Sequence, residues 1–354
     1  MNSSIGSNYI PIFLIVLLII LFSSCTSTPL LKNGISEFRT IKIGSIDQTV
    51  LIRGENKNNP ILLYLHGGPG STELIPFRLA HKNLEKYFTI VLWEQRGTGK
   101  SYSNNISIES MNIDQFISDT HELTNYLLQY FNKSKLLLVG HSWGTLLGLL
   151  TVHKYPDLYY AYVGSGQMVN PNRGEKISFA YVLQKANDTN NKKALKELLS
   201  INSQNTYLTI DTENKWFDYI KKQRKWLISL GGEIYNQNNY SLLFNSKTLF
   251  SPEYSLLDFI KFGQGSVFSL KSMWPEVMNI ELDKTTTNFE IPIFFLQGEH
   301  DYNTPTELVK EYFNSINAPE KQLVLFEQSA HHPMYEEPKK FENVLVFQIL
   351  PYCN

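Results

Sequence analysis

The pentapeptide GHSWG at residues 140–144 contains the serine with the clearest capacity for chemistry in this sequence. The apolar run LLLV before it predicts a buried strand, and the run TLLGLL after it predicts a helix. A serine on such a sharp turn is held in a strained conformation, and larger side chains at the flanking positions would clash with the neighbouring backbone. The glycines on either side therefore indicate that Ser142 is a nucleophile on a strained turn.

Asp301 and His331 can supply the groups that a serine nucleophile needs. A free serine hydroxyl is a poor nucleophile until an adjacent base removes its proton, and a carboxylate holds that base in the correct tautomer. Asp301 follows the predicted strand in IPIFFLQG, and His331 follows the next predicted strand, KQLVLFE. The order Ser, Asp, His along the chain is typical of α/β-hydrolases. We therefore predict that Ser142, Asp301 and His331 form a catalytic triad.

Two neighbouring residues are alternatives to these assignments. Glu299 could take the place of Asp301, but it lies two residues nearer the strand, where we expect it to face away from the site. His332 could take the place of His331, and two adjacent side chains cannot both point into one site. We favour Asp301 and His331, because they fit the positions of the acid and the histidine in the hydrolase pattern.

The predicted elements that position these residues are apolar strands alternating with helices. Uninterrupted apolar strands indicate a mostly parallel sheet that is covered on both faces. A β-hairpin is predicted between Glu37 and Gly54, and a strand begins at Ile61. The alternation stops near Asn170 and resumes at Pro292, with many aromatic residues in the helical stretch between them. The expected fold class is α/β, an α/β-hydrolase fold with a mainly helical cap inserted before the acid residue.

The domain organisation follows from this pattern. We expect a signal peptide or membrane anchor in residues 1–29 and the first part of the α/β-hydrolase core in residues 30–169. The cap insertion is expected in residues 170–290 and the second part of the core in residues 291–354.

Residues 9–22, YIPIFLIVLLIILF, form an apolar stretch without charges. The stretch is shorter than the about 20 residues that a spanning helix needs, and it has the length of a signal-peptide hydrophobic region. Small residues, Ser23 and Ser24, then precede Cys25, which resembles the cleavage box of bacterial lipoproteins with Cys25 as the lipidated residue. An uncleaved signal anchor reaching back to Ile5 is the alternative. We therefore expect an exported protein that is attached to the membrane.

Composition excludes several other classes of protein. The chain has 32 basic and 33 acidic side chains, and this balance argues against a nucleic-acid-binding protein. Two cysteines among 354 residues cannot form a disulfide framework. No histidine pair has the spacing typical of zinc ligands, and no glycine-rich nucleotide motif follows a strand, so neither a metal nor another cofactor is implied.

Three further motifs carry a resemblance to a known family. They are HGGPG at residues 66–70, WEQRGTGKS at residues 93–101 and SAHHPMYEEP at residues 329–338. From Ile61 to the C-terminus the chain resembles α/β-hydrolases, and more narrowly the proline iminopeptidase (prolyl aminopeptidase) branch. HGGPG is the hallmark of that branch, and GHSWG looks like its GGSWG elbow, with His141 in place of a glycine. WEQRGTGKS looks like its DQRGxGxS loop, with Glu94 in place of the aspartate. We expect Glu94 and Arg96 to brace this loop through an internal ion pair or hydrogen bonds.

The resemblance implies a serine hydrolase that acts through an acyl-enzyme and releases an N-terminal residue, proline by preference, from short peptides. The backbone N–H of Trp143, directly after the nucleophile, would donate to the oxyanion. By resemblance, the second donor is Gly68 in the HGGPG loop. In that branch, acidic side chains of the cap bind the free α-ammonium group of the substrate, and Glu233 is our choice here. The other candidates are Glu175, Glu197, Glu213, Glu253 and Glu276.

Two other functions stay open. An aromatic-lined cap could also accept an acyl or alcohol group, so a carboxylesterase-type hydrolase of small apolar esters is the alternative enzyme. The chain could also be a non-catalytic α/β-hydrolase-like binding module, which the presence of all three triad residues disfavours. An epoxide hydrolase or dehalogenase is disfavoured, because those relatives have an aspartate where this chain has Ser142.

Overall fold

The computed structural model describes residues 27–202, 213–236 and 245–353. Its centre is an eight-stranded sheet with the strand order β1-β2-β4-β3-β5-β6-β7-β8. The strands are β1 (Ile35–Ile43), β2 (Ile46–Gly54), β3 (Ile61–Leu65), β4 (Thr89–Glu94), β5 (Leu136–His141), β6 (Tyr159–Ser165), β7 (Ile293–Gly298) and β8 (Lys321–Phe326).

The sheet is mostly parallel, as the sequence predicts. β1 and β2 form the expected antiparallel hairpin, and β2 also pairs antiparallel with β4. Every other pairing is parallel, from β3 with β4 through to β7 with β8. Gly44 and Ser45 turn the hairpin with positive φ angles of 53° and 68°. Two residues thus suffice for the turn, as is common where two strands twist together.

Both faces of the sheet are buried, which explains the uninterrupted apolar strands. All five residues of β3 and all six of β5 are buried. Leu63 and Leu138 belong to the apolar cluster on one face, whereas Leu62 and Leu137 belong to the cluster on the other face. Because successive side chains of a strand point to opposite faces, a strand covered on both sides must be apolar at every position.

Helices cover the sheet and form the cap between β6 and β7. The core helices are α1 (Leu74–Ala80), α2 (Ile113–Phe131), α3 (Trp143–Lys154), α10 (Thr306–Ser315), α11 (Pro333–Glu336) and α12 (Pro338–Val344). The helices between β6 and β7 are α4 (Pro171–Asp188), α5 (Lys192–Asn202), α6 (Glu213–Ser229), α7 (Ser246–Leu249), α8 (Leu256–Val277) and α9 (Leu282–Thr285).

The longest helix of the cap, α8, has clear start and stop signals. Ser255 and Asp258 form a capping box at its N-terminus, in which each side chain accepts a hydrogen bond from the backbone of the other. Pro275 lies in its last turn, where the helix ends two residues later. In the part of the chain that the structure describes, neither α8 nor any other helix is long and apolar enough to cross a membrane.

The predicted N-terminal signal segment and Cys25 lie outside the described residues, so their roles stay predictions. The described chain begins at Ser27, whose backbone N–H donates to the carbonyl oxygen of Pro252 at 3.0 Å. Thr28 Oγ1 donates to Glu253 Oε1 at 3.1 Å. The chain therefore enters the described structure against the segment that joins α7 to α8.

Candidate active site

Ser142 lies on the sharp turn between β5 and α3, with φ 52° and ψ −120°. Non-glycine residues rarely adopt a positive φ, and such strain is concentrated at functional sites. A Cβ atom at Gly140 would lie 2.4 Å from the carbonyl oxygen of Gly144, and one at Gly144 would lie 2.1 Å from that of Leu65. Both flanking positions therefore accept only glycine, for the steric reason that the sequence indicates.

Asp301 and His331 come together beside this turn. His331 Nδ1 donates to Asp301 Oδ2 at 2.9 Å. The same carboxylate oxygen accepts from Thr304 Oγ1 at 2.7 Å and from Gln297 Nε2 at 2.9 Å. The other carboxylate oxygen accepts the backbone N–H groups of Asn303 and Thr304 at 2.8 Å each. Five donors thus fix the orientation of the carboxylate toward the imidazole.

The two alternatives to these residues differ in their positions. Glu299 is exposed on the surface. His332 lines the same cavity as Ser142 and His331, and its Nε2 lies 3.7 Å from Glu233 Oε1, whereas the hydrogen bond to Asp301 comes from His331. Burial lowers the pKa of His331 below its ordinary value, and the attraction of Asp301 offsets this only in part. His331 is therefore neutral at neutral pH, as a general base must be.

A cavity of about 390 Å³ lies over the turn. Ser142 and His331 line it together with Gly68 and Glu233. Gly68 has a φ of 118°, and a Cβ atom there would lie 2.4 Å from the nitrogen of Gly70, so the loop requires glycine at this position. Trp143 is the first residue of α3, where backbone N–H groups have no partner within the helix.

Glu233 and Glu175 are the cap candidates that line the cavity. Glu233 is buried, and its carbonyl oxygen accepts the backbone N–H of His331 at 3.0 Å. Both carboxylate oxygens of Glu175 accept hydrogen bonds from the guanidinium of Arg224. Among the other candidates, the side chain of Glu213 lies outside the described residues. The remaining three are bound elsewhere, Glu197 to Lys225, Glu253 to Arg78 and Glu276 to the backbone of Ile113.

Sequence reasoning missed a buried ion pair that includes His141, the residue before Ser142. His141 Nδ1 donates to Glu73 Oε1 at 2.7 Å, and His141 Nε2 donates to the carbonyl oxygen of His331 at 3.0 Å. Tyr64 also donates to Glu73. Burial alone would raise the pKa of Glu73, but the positive charge and hydrogen bond of His141 lower it to about 2. Likewise, burial would lower the pKa of His141, but Glu73 raises it above the ordinary value.

The feature of the sequence that could have indicated this pair is His141, which occupies a position where the nucleophile turn of the proline iminopeptidase branch has glycine. Nothing in the spacing connects it with Glu73, because 68 positions separate the two residues. The pair holds the main chain of His331 through His141 Nε2, and it therefore contributes to the position of the predicted base.

Glu336 is a second residue that the sequence analysis did not single out. Its carboxylate accepts the backbone N–H groups of Ala330 and His332 at 3.0 Å and of Tyr235 at 2.6 Å. Burial raises its pKa to about 7, although these three hydrogen bonds act in the opposite direction. Glu336 thus ties the loop of His331 to residues 231–236 of the cap.

Glu94 and Arg96 brace their loop, as expected, although with different partners. Glu94 accepts from Thr72 Oγ1 and from the backbone N–H of Lys100, both at 2.8 Å. Arg96 forms a bidentate ion pair with Asp119, with distances of 2.9 and 3.0 Å. Within the described ranges, no group of three His, Cys, Asp or Glu side chains could hold a metal ion.

The chain is similar in sequence to known proteins. A family model described as alpha/beta hydrolase fold matches residues 60–338. The "Probable aminopeptidase YbaC" of Bacillus subtilis strain 168 is 36% identical over 314 residues, which cover 89% of this chain and 96% of that protein. The proline iminopeptidase of Heyndrickxia coagulans is 25% identical over 297 residues, covering 82% of this chain and 91% of that protein.

Solved structures share the fold. The proline iminopeptidase of Mycobacterium smegmatis matches with a TM-score of 0.59 at 16% identity, covering 90% of this chain and 98% of that one. An epoxide hydrolase of Vigna radiata matches with a TM-score of 0.58 at 18% identity, covering 89% and 97%. At these identities, the two structures are evidence for the fold alone. On the family model and the Bacillus relative, this chain belongs to the alpha/beta hydrolase fold family and resembles its proline iminopeptidase branch.

Proposed function

We propose that the chain is a serine aminopeptidase of the proline iminopeptidase type that acts on short peptides through an acyl-enzyme. The observation that carries this proposal is the placement of Ser142 on a strained turn facing the same cavity as His331, which hydrogen-bonds to Asp301. The names of the relatives from Bacillus subtilis and Heyndrickxia coagulans support an amide substrate with a free amino terminus.

In the proposed mechanism, His331 removes the proton of Ser142 as the serine oxygen attacks the carbonyl carbon of the substrate. The backbone N–H groups of Trp143 and Gly68 would stabilise the oxyanion of the tetrahedral intermediate. His331 then gives its proton to the leaving amine, and an acyl-enzyme results. A water molecule, deprotonated by His331, hydrolyses this ester and restores Ser142.

Glu233 is the proposed acceptor for the α-ammonium group of the substrate. It is buried, it lines the cavity, and the hydrogen bond from His331 N to its carbonyl oxygen fixes its backbone relative to the base. Glu175 also lines the cavity, but Arg224 neutralises its charge. A carboxylate fixed near the nucleophile would select substrates with a free amino terminus, because a hydrogen bond to a charged group contributes about 1.5–3 kcal/mol.

A second candidate, a carboxylesterase-type hydrolase of small apolar esters, is favoured by the apolar wall of the cavity. Phe262, Leu270 and Trp274 of α8 line the side that the cap supplies, and Met168 and Val169 follow β6. Such a wall can accept an acyl or alcohol group as readily as a proline ring.

Attachment to the membrane is the second part of the proposal. It is supported by the uncharged apolar stretch of residues 9–22 and by the small residues before Cys25, which would be the lipidated residue.

The test compares hydrolysis of proline, alanine and leucine β-naphthylamides with hydrolysis of p-nitrophenyl acetate and butyrate, with Ser142→Ala as the blank. We expect turnover of the aminoacyl amides that is lost when their amino group is acetylated. Ester turnover alone would replace the aminopeptidase by the esterase. A folded protein that is inactive on both classes, or a Ser142→Ala variant with full turnover, would contradict both enzymes.

A matched pair of variants tests the role of Glu233. We expect Glu233→Gln to lower kcat/KM for proline β-naphthylamide by roughly tenfold or more, because the ammonium group loses a charged partner. Hydrolysis of any ester substrate without an amino group should change far less. Glu253→Gln is the control, since Glu253 is also buried but pairs with Arg78 outside the cavity. Equal losses on both substrate classes would argue against an ammonium site at Glu233.

A further inference from the structure

Exposed apolar side chains are concentrated on one part of the cap. Five of them, between 53% and 85% exposed, lie within the stretch that contains α7 and the first turns of α8. We call this set the cap apolar face, and its members are Leu249, Phe250, Leu256, Leu257 and Ile260. Large apolar side chains that are exposed together mark an interaction site more often than single ones do.

The N-terminal end of the described chain lies beside the cap apolar face. Ser27 N donates to the carbonyl oxygen of Pro252, which lies between Phe250 and Leu256 in the sequence. The side chain of Leu30, three residues further on, is also among the exposed apolar side chains. Only four residues separate Ser27 from Phe22, the last residue of the uncharged apolar stretch. A membrane to which the N-terminus is attached would therefore lie within a short distance of the cap apolar face.

The charges around the cap apolar face fit an anionic surface. In residues 245–268, the exposed charged side chains are those of Lys247 and Lys261. The two acidic residues of this stretch are already bound, since Glu253 is buried against Arg78 and Asp258 accepts from Lys100 Nζ at 2.6 Å. Exposed leucine and phenylalanine with flanking lysines are typical of helices that lie in the headgroup region of a bilayer.

We propose that the cap apolar face docks on the lipid bilayer, with the first turns of α8 lying in the headgroup region. This inference rests on the membrane attachment proposed above. The N-terminal attachment, through a lipid on Cys25 or through the uncleaved apolar stretch of residues 9–22, brings the protein to the bilayer, and the lysines add attraction to anionic lipids. The cap apolar face is proposed to bind the bilayer rather than a second copy of the chain. The N-terminal attachment beside this face keeps the lipid surface within reach at any protein concentration.

Docking would place the first turns of α8 against the bilayer, while the later turns of the same helix line the cavity. Leu256 and Ile260 belong to the exposed face, whereas Ser266, Leu270 and Trp274 of the same helix line the cavity. Helix α8 would then both contact lipid and form the apolar wall of the cavity. Contact with lipid could therefore affect access of substrate to the cavity.

The experiment uses the full chain reconstituted into vesicles of phosphatidylcholine and phosphatidylglycerol. Flotation of the vesicles first tests attachment. Nitroxide labels are then placed on Phe250→Cys and Ile260→Cys in a Cys353→Ser background, and the unsubstituted background supplies the blank for labelling at Cys25. Collisions of each label with oxygen, which concentrates in lipid, and with a water-soluble nickel chelate report its surroundings. Phe347→Cys is the matched control, an exposed apolar position outside the cap apolar face.

Docking predicts that both cap labels lose about tenfold in nickel collisions and gain in oxygen collisions when vesicles are present, because such faces insert ~5–10 Å into the headgroup boundary. The label at position 347 should not change. Replacing Lys247 and Lys261 together by glutamate should reverse much of the change. If the protein floats but the cap labels behave as the control does, docking is overturned while attachment stands. A fall in both collision rates would mean that protein covers the face, and this also overturns the proposal. Failure to float overturns the attachment and, with it, the docking.

Discussion

The ion pair between Glu73 and His141 leads to the most specific prediction, the effect of Glu73→Gln. This change keeps the shape of the side chain but removes the charge that raises the pKa of His141. His141 must then either stay charged without its partner or lose its proton inside the protein. In both cases, the arrangement in which its two nitrogens donate to Glu73 and to the carbonyl oxygen of His331 is weakened.

The magnitude follows from the pKa of Glu73. A fall from the ordinary value of 4.5 to about 2 in the folded protein corresponds to about 3 kcal/mol of stability, at ~1.4 kcal/mol for each tenfold change in the equilibrium constant. This agrees with the about 3–5 kcal/mol that breaking a buried pair costs. Because the pKa of Glu73 is lowered, the stabilisation is present above pH 4.5 and is lost as the pH falls toward 2. Because the pKa of His141 is raised, its share is present below pH 6.5 and is lost as the pH rises through the folded pKa.

The assay is urea unfolding between pH 4.5 and 6.5, where both contributions are present. We expect the midpoint of Glu73→Gln to fall by roughly 1 M urea or more, and kcat to fall by about tenfold through the displaced main chain of His331. Glu85→Gln is the control, because Glu85 is another buried carboxylate, paired with Arg53 at 2.6 Å and distant from the cavity. It should lose stability but keep its kcat. A Glu73→Gln protein with the wild-type midpoint and the wild-type kcat would refute the reasoning.

Three further predictions concern single residues. Asp301→Asn should lower kcat by about 10⁴ with little change in KM, because an amide favours the wrong tautomer of His331. Steady-state kinetics measure this effect, and a loss of kcat below tenfold would contradict the role of Asp301. Ser142→Gly should abolish turnover yet raise the free energy of unfolding by about 1 kcal/mol, since glycine relieves the strain of φ 52°. Urea unfolding that shows the variant to be less stable than the wild type would contradict this prediction. Glu94, whose pKa burial raises to about 7, should make the wild type lose stability relative to Glu94→Gln as the pH rises from 4.5 to 7, because the folded state holds the proton more tightly. Parallel stability curves of the two proteins over that range would contradict the prediction for Glu94.

The parts of the fold that were predictable from sequence are those fixed by local rules. Central strands such as β3 and β5 are buried at every position because both faces of the sheet are covered, so a mostly parallel sheet could be predicted from their apolar runs without any tertiary information. The same is true of the turn at Ser142, where the requirement for Gly140 and Gly144 is a steric one within a few residues.

What could not be predicted depends on pairs that are distant in sequence. The partner of Arg96 is Asp119 on α2 rather than a residue of its own loop, and the partner of His141 is 68 positions away. The packing of the cap helices is equally non-local, because their apolar residues form an ordinary helical stripe that fits many arrangements. The sequence alone does not distinguish the six candidate glutamates of the cap. Only the fold shows that Glu233 lines the cavity, whereas Glu253 pairs with Arg78 outside it.

The short segment of residues 231–236 has a consequence for how this protein could be recombined with its relatives. Gly232 O accepts from Tyr302 N at 2.9 Å and Glu233 O accepts from His331 N at 3.0 Å, while Tyr235 N donates to Glu336. Three backbone groups of the insertion are thus hydrogen-bonded to the core, two of them to the loops of Asp301 and His331 and the third to Glu336 at the end of α11. A chimera in which the whole insertion between β6 and β7 is replaced by that of a relative would lose these hydrogen bonds, even if every core residue were retained. Productive crossover points for chimeras therefore lie on either side of residues 231–236, so that the native segment stays with the core while the flanking helices are replaced.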